Sequence, residues 1–267
     1  MEVTEPTVGY VRRIVAGWPQ TAGQNELFGL LALLGRWRSH MLANTFVQRQ
    51  GRRIWSGPFA GMDYLDHATE GALIPRLLGT YESELHPHLA ALSADGLDCV
   101  IDVGCAEGYY AVGLARMMPE VTVHAFDISE AARSACGELA ARNGVSDRVL
   151  IGGEFKPDGF EAFAGRRVLV MVDAEGAELD ILRPDLSPAL AGMNLIVETH
   201  DVYRPGALAT ITERFASTHD IVRVDSQPKT QKLPPWLSNL GQLDQLLAVW
   251  EWRRQPTPWL VMRPKPA

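Results

Sequence analysis

Residues 100–127 read VIDVGCAEGYYAVGLARMMPEVTVHAFD, and their pattern decides the fold. An apolar run closes on Asp102-Val103-Gly104, a turn of small residues follows, then a helical spacing, then a second apolar run ending at Asp127. Strand, tight turn, helix, strand and acid in that order are half of a doubly wound, nucleotide-binding α/β sheet. A dinucleotide fingerprint needs glycine at the first, third and sixth places of the turn. Counted from Gly104, those places hold Gly104, Ala106 and Tyr109, so an NAD-linked dehydrogenase is opposed by Tyr109. Glycine suits such a turn because it takes positive φ and lets backbone pass close to a ligand. The closing acid, Asp127, can accept two hydrogen bonds from a vicinal diol; the plainer alternative is a helix cap.

The composition of the 267 residues, 46% hydrophobic and 21% charged, is that of an ordinary globular protein. The length suits one large α/β domain with an N-terminal elaboration. A net charge of −7 argues against broad nucleic-acid binding, which depends on neutralising phosphates with Lys and Arg. Cys99, Cys105 and Cys136 have no CxxC spacing and read as buried, reduced thiols of a cytoplasmic protein. The opening MEVTEPTVGYVRR has no apolar signal core, and the longest apolar run, residues 27–35, is about half a membrane span. We expect neither export nor membrane insertion.

Along the chain, residues 1–23 show little periodicity and read as a loose arm or a segment that covers a partner. In residues 24–50, Leu27, Leu30, Leu31, Leu34, Trp37, Met41, Leu42 and Phe46 recur at threes and fours, which predicts an amphipathic helix. It suits packing on the domain or a homodimer, or else a lid. Another helix is expected from about Ile74 on. Ser129 can cap a helix to Arg142, ended by Asn143-Gly144. Residues 148–151, 167–173, 194–200, 221–225 and 259–262 read as further strands, with helices over 177–183 and 237–249. The tract 250–259 gathers Trp250, Trp252, Trp259, Arg253 and Arg254, whose aromatics suit core packing. Residues 1–90 form a helical extension or cap in this reading, and residues 91–267 the sheet domain.

Gly104-x-Ala106-x-Gly108 resembles motif I of the class I S-adenosylmethionine (SAM) methyltransferases, with alanine in the middle glycine's place. The run DAEGAE, residues 173–178, resembles the D-x-E-G-x-E signature of the FkbM-type methyltransferases, and GPFAGM (57–62) and LLGTYESEL (77–85) resemble an N-terminal segment of that group's bacterial members. The resemblance covers residues 55–263. It implies a Rossmann-like, seven-stranded α/β sheet closed by an antiparallel hairpin, and SAM as cofactor. It places Asp102, Gly104, Cys105, Ala106, Gly108, Tyr109, Asp127 and Ile128 around the donor, with Asp127 on the ribose hydroxyls and Glu154 facing adenine. Tyr81 and Glu82 stand near the cofactor, where Glu82 accepts from the SAM amino group; the alternative is a solvated helix face for Glu82.

In an open α/β sheet, ligands bind outside the carboxyl ends of the strands, where Asp127, Glu154, Asp173, Glu175, Glu198, His200 and Asp201 are all expected. Methylating an alcohol requires removing its proton, while an amine needs only its neutral form. His200 is a candidate general base, with Asp173 and Glu198 as catalytic partners. Alternatively Asp173, Glu198 and Asp201 hold Mg²⁺, the less favoured reading; or Asp173 and Glu175 only position the next helix and His200 is a satisfied strand-end residue. The resemblance implies O-methylation of a sugar, polyketide or other secondary metabolite. N- or carboxyl-methylation of a peptide or small molecule, and a catalytically silent SAM-fold binding protein, stay as alternatives.

Overall fold

A computed structural model describes residues 3–69, 71–253 and 255–266; Arg254, grouped above with Arg253, lies outside them. Helices α1 (Thr4–Ala16), α2 (Gln24–Gln50), α3 (Leu73–Leu78) and α4 (His86–Ala94) come first. They are followed by β1 (Cys99–Val103), α5 (Tyr109–Met117), β2 (Thr122–Phe126), α6 (Glu130–Arg142), β3 (Val149–Gly152), β4 (Val168–Val172) and α7 (Glu178–Ile181). The chain then runs through β5 (Asn194–Glu198), α8 (Ala207–Phe215), β6 (His219–Val224), α9 (Pro235–Ser238), α10 (Gln242–Val249) and β7 (Trp259–Pro264).

The strands form one seven-stranded sheet in the order β3-β2-β1-β4-β5-β7-β6. β1 to β5 run parallel to one another, and β7 runs antiparallel to both β5 and β6. This is the expected α/β, Rossmann-like architecture. β4 at its centre is apolar throughout, and β1 is buried along its whole length, because both faces are covered. Val100, Leu169, Met171 and Ile196 join one core with α2, α3 and α5, while Ile101, Val170 and Val197 join a second with Leu182, Ile211 and Phe215. Register then aligns the strand ends: Val103 pairs with Phe126 and Val172, and Val172 with Val197. Every candidate side chain just beyond those residues is thus delivered to one edge.

Several sequence expectations change. Residues 4–16, expected within a loose arm, form α1, held to α2 by a 3.3 Å hydrogen bond from Trp37 Nε1 to Thr4 Oγ1. The helix over 24–50 is present, but only its second half is covered: Leu42 and Phe46 are buried, while Leu27, Phe28 and Leu31 are 60%, 67% and 66% exposed. The helix expected onward from Ile74 stops at Gly79, which takes φ +71° and whose added Cβ would stand 1.9 Å from the Ser56 carbonyl oxygen. The helix expected over 237–249 is two, with Gly241 capping the second. Among the described residues no helix is long and apolar enough to cross a membrane.

Candidate functional site

The glycine turn joins β1 to α5. Gly104 adopts φ +86°, and a Cβ there would meet the Asp173 carbonyl oxygen at 1.7 Å; Gly108 adopts φ +92°, with Cys136 Sγ 2.8 Å from its would-be Cβ. The missing side chain at Gly104 therefore lets the turn lie against the exit of β4, a tighter constraint than ligand approach alone. Ala106 takes the middle place at φ +46°, a left-handed conformation that costs a non-glycine residue roughly 1 kcal/mol.

Asp127 reaches back to this turn. Its Oδ2 accepts from Ala106 N at 3.0 Å and its Oδ1 from Ser129 N at 2.8 Å, leaving the remaining lone pairs of the carboxylate toward a cleft of about 760 Å³. The exposed Ile128, Gly104, Ala106, Glu154 and Asp173 also line that cleft. Glu154 is engaged with Lys156 at 2.7 Å. Beneath the turn lies a recess of about 30 Å³ that Asp102, Cys105 and Tyr109 help to line. Tyr109 itself packs edge-on against Phe59, Tyr64, Tyr81 and Tyr110. Asp102 is buried, and its Oδ2 has no hydrogen-bond partner. An orphaned acid oxygen in the recess and a diol-sized acceptor at Asp127 fit the ammonium and ribose of SAM.

Burial, with Asp127 nearby, pushes the Asp102 carboxyl up to about 7. A carboxyl whose folded pKa lies above its unfolded value disfavours the folded state once it ionises. In the free protein its contribution is therefore lost as pH rises from 4 toward 8. A shift from 3.8 to about 7 corresponds to about 4 kcal/mol. Asp102→Asn is expected to flatten the fall in unfolding free energy between pH 5 and 8, as read by urea titration; an unchanged slope would assign the fall elsewhere.

A second cavity of about 560 Å³ lies beyond β4 and β5, lined by Glu198, His200, Tyr203, Trp252 and Arg253 among others. It shares Tyr81, Asp173 and Glu175 with the cleft, so those three residues stand at the junction. His200 follows β5 and is 3% exposed. Its Nδ1 lies 2.7 Å from Glu178 Oε1, and its Nε2 stands 3.6 Å from Asp173 Oδ1, 3.6 Å from Glu175 Oε2 and 3.8 Å from Glu198 Oε2. Burial opposes charge on His200, but the Glu178 hydrogen bond and the surrounding carboxylates outweigh it and raise its pKa. Burial and the neighbouring Glu198 and Glu82 hold Asp173 well above the ordinary aspartate range.

Three expectations are corrected here. Asp201 is not among the converging carboxylates: its two oxygens accept from Gly206 N at 2.9 Å and Leu208 N at 3.0 Å, where it caps the approach to α8. Glu198 is not free for an ion either, because its Oε1 accepts from Arg253 Nη1 and, at 2.5 Å, from Thr257 Oγ1. The Mg²⁺ set Asp173, Glu198 and Asp201 is thereby broken up. Glu82, placed either at the SAM amino group or on a solvated helix face, is fully buried, and its oxygens accept from Tyr110 Oη and Arg253 Nη2. Burial, reinforced by Glu198 and Glu251, pushes its carboxyl up to about 8.

Sequence reasoning missed Glu178, Glu107 and the pairing of Arg253. Glu178 is fully buried and its Oε1 also accepts from Ala174 N at 3.2 Å and Gly176 N at 3.0 Å. Glu107 accepts from Tyr64 Oη at 2.5 Å and Thr69 N at 3.0 Å, with Arg76 Nε at 3.4 Å, tying the segment before α3 to the glycine turn. Glu178 is the last acid of the DAEGAE run and was open to reading as a helix-positioning residue. The other partners lie far apart in sequence.

No family model matches the chain. It is 34% identical over 93 residues to the release factor glutamine methyltransferase of a Synechocystis species, a match spanning 33% of this chain and 30% of that protein. Among solved structures it is similar to human methyltransferase 10 domain containing protein, with a TM-score of 0.50 and 11% identity over 85% of this chain and 97% of that one. It is also similar to the O-methyltransferase from Bacillus cereus in complex with SAH, with a TM-score of 0.45 and 11% identity over 85% and 90% of the two chains. The chain has the Rossmann-like α/β fold of the class I SAM-dependent methyltransferases.

Proposed function

We propose that this chain is a SAM-dependent methyltransferase of FkbM type that methylates a hydroxyl on a sugar, polyketide or other secondary metabolite. The observation that carries this reading is the meeting of two cavities at Tyr81, Asp173 and Glu175, one holding Asp127 and the other holding His200. A donor in one can reach an acceptor in the other only across that junction.

SAM, when bound, supplies an electrophilic methyl group on a sulfonium. The chain's own part is to hold and align. Asp127 takes the ribose diol, and Asp102 offers its unpartnered oxygen to the ammonium, with Gly104, Cys105, Ala106, Gly108, Tyr109 and Ile128 forming the surrounding wall. Glu154 lies at the far end of the same cleft. The acceptor hydroxyl loses its proton at the cluster of Asp173, Glu175, Glu198 and His200, the step an alcohol needs before it can attack. Tyr81 lines both cavities and Trp252 the second, so each offers aromatic surface to a bound molecule.

Residues 1–90 act in this reading as a cap on a catalytic unit of residues 91–267, a role supported by Tyr81 at the junction and Arg36 in the second cavity. The exposed row Leu27, Phe28 and Leu31 supports a homodimer through α2. The three free, buried thiols support a reducing, cytoplasmic setting. A second reading, methylation of a peptide nitrogen, is favoured by the glutamine methyltransferase relative.

The test is release of S-adenosylhomocysteine from SAM by the purified chain with a panel of hydroxylated acceptors. Turnover with a hydroxylated small molecule is expected. Turnover confined to glutamine-bearing peptides would move the assignment to the second reading, and the absence of any thermal shift with S-adenosylhomocysteine would overturn both.

A further inference from the structure

The atoms at the junction of the two cavities have a spacing that hydrogen bonding does not explain. His200 Nδ1 is committed to Glu178 at 2.7 Å, which fixes the tautomer with the proton on Nδ1 and turns the lone pair of Nε2 toward the cavity. That lone pair faces Asp173 Oδ1 and Glu175 Oε2, each 3.6 Å away, too far for a direct hydrogen bond. Asp173 Oδ1 is itself buried without any hydrogen-bond partner. One ligand atom from each of Asp173, Glu175 and His200 falls within 4.8 Å of the others. Ligands bound about 2.0–2.2 Å from a common ion stand roughly 3 to 4 Å apart.

We propose that Asp173, Glu175 and His200 bind a divalent first-row transition-metal ion at the junction of the donor cleft and the acceptor cavity. Two carboxylates and an imidazole are a mixed oxygen and nitrogen set, which suits Mn²⁺, Fe²⁺, Co²⁺ or Zn²⁺ better than Mg²⁺. The Glu178–His200 hydrogen bond is the outer-sphere contact that orients a ligating imidazole. The charge balance points the same way. Arg253 pairs with Glu82, Glu198 and Glu251, and Lys229 with Glu251, whereas no Lys or Arg ion pair reaches Asp173 or Glu175 among the described residues.

The ion's role, though not its binding, rests on the methyl-transfer reading. A hydroxyl entering the open side of the ion would have its pKa lowered and lose its proton to Glu198, the carboxylate of the cluster outside the ligand set, whose Oε2 lies 3.8 Å from His200 Nε2. Its oxygen would then form the C–O bond as the C–S bond of SAM breaks and S-adenosylhomocysteine leaves.

Mn²⁺ is the probe. Titrated into metal-free protein, it is expected to bind with one site per chain, seen as loss of the free-ion paramagnetic resonance signal and in calorimetry. His200→Ala and Glu175→Gln should each weaken binding by roughly tenfold or more, and Asp201→Asn, which removes no ligand of this set, should leave it unchanged. Thermal shift with S-adenosylhomocysteine is followed in every variant, so a failed donor site is distinguished from a failed metal site. No binding of Mn²⁺, Co²⁺ or Zn²⁺ at millimolar concentration, or equal binding by wild type, His200→Ala and Glu175→Gln, would overturn the proposal.

Discussion

Asp127→Ala is expected to remove measurable binding of S-adenosylhomocysteine while leaving the protein folded. The carboxylate sits at the end of β2, pulled toward the glycine turn by Ala106 N at 3.0 Å and toward α6 by Ser129 N at 2.8 Å. Alanine deletes the two acceptors proposed for the ribose diol. Hydrogen bonds to a charged group contribute about 1.5–3 kcal/mol each, so two together amount to at least about a hundredfold in affinity. The turn also loses the contact that holds Ala106 in its left-handed conformation, so the backbone beneath the donor loosens as well. Asp127→Asn separates the two effects: it keeps one acceptor oxygen and replaces the other by a donor, and its affinity should fall between the two proteins. Calorimetry with S-adenosylhomocysteine makes the measurement, and circular dichroism checks the fold. Unchanged affinity in Asp127→Ala would mean that the cleft beside Asp127 is not the donor site.

What could be read from the sequence divides along a physical line. The sheet was legible because strand periodicity and turn chemistry are local: residues 100–127 carry strand, turn, helix, strand and acid within one short run. The reason for Gly104 was only half legible. Positive φ could be expected of it, but the Asp173 carbonyl pressing on its missing Cβ comes from a strand about seventy residues away. Glu82 shows the same limit more sharply, since its partner Arg253 lies 171 positions further on. Burial of that pair follows from how the segment after α3 and the tract before β7 meet over β5, which no local pattern encodes. Asp201 failed for the opposite reason. Its sequence neighbourhood, an acid beside a strand-end histidine, looks like a ligand set, yet backbone N–H groups five and seven residues on claim both its oxygens.

Glu178 joins the two halves of the site, so its removal should have the largest effect on stability. It is fully buried, and its Oε1 accepts from His200 Nδ1, Ala174 N and Gly176 N. Alanine would strand all three donors and leave a raised-pKa imidazole without its closest countercharge. Removing one member of a buried, hydrogen-bonded charge pair costs about 3–5 kcal/mol, which for a chain of this size is a fall in Tm of roughly 6 to 20 °C. The pH dependence has two sides. Burial tends to raise the Glu178 carboxyl, but the hydrogen bonds from His200 and Gly176 outweigh it and hold it below the ordinary glutamate range. Its stabilisation is therefore present above the unfolded glutamate value and lost as pH falls through the lowered one. His200 is raised, so its contribution is complete below the unfolded histidine value and is lost as pH climbs through the raised one. The difference in unfolding free energy between wild type and Glu178→Ala should thus be greatest in the window between those limits, and should shrink toward both acid and alkali. Glu178→Gln, which keeps the shape and an acceptor oxygen but not the charge, should recover part of the loss. A flat difference across pH, measured by urea titration, would show that Glu178 supports the loop by packing alone and that its charge does not hold His200 in place.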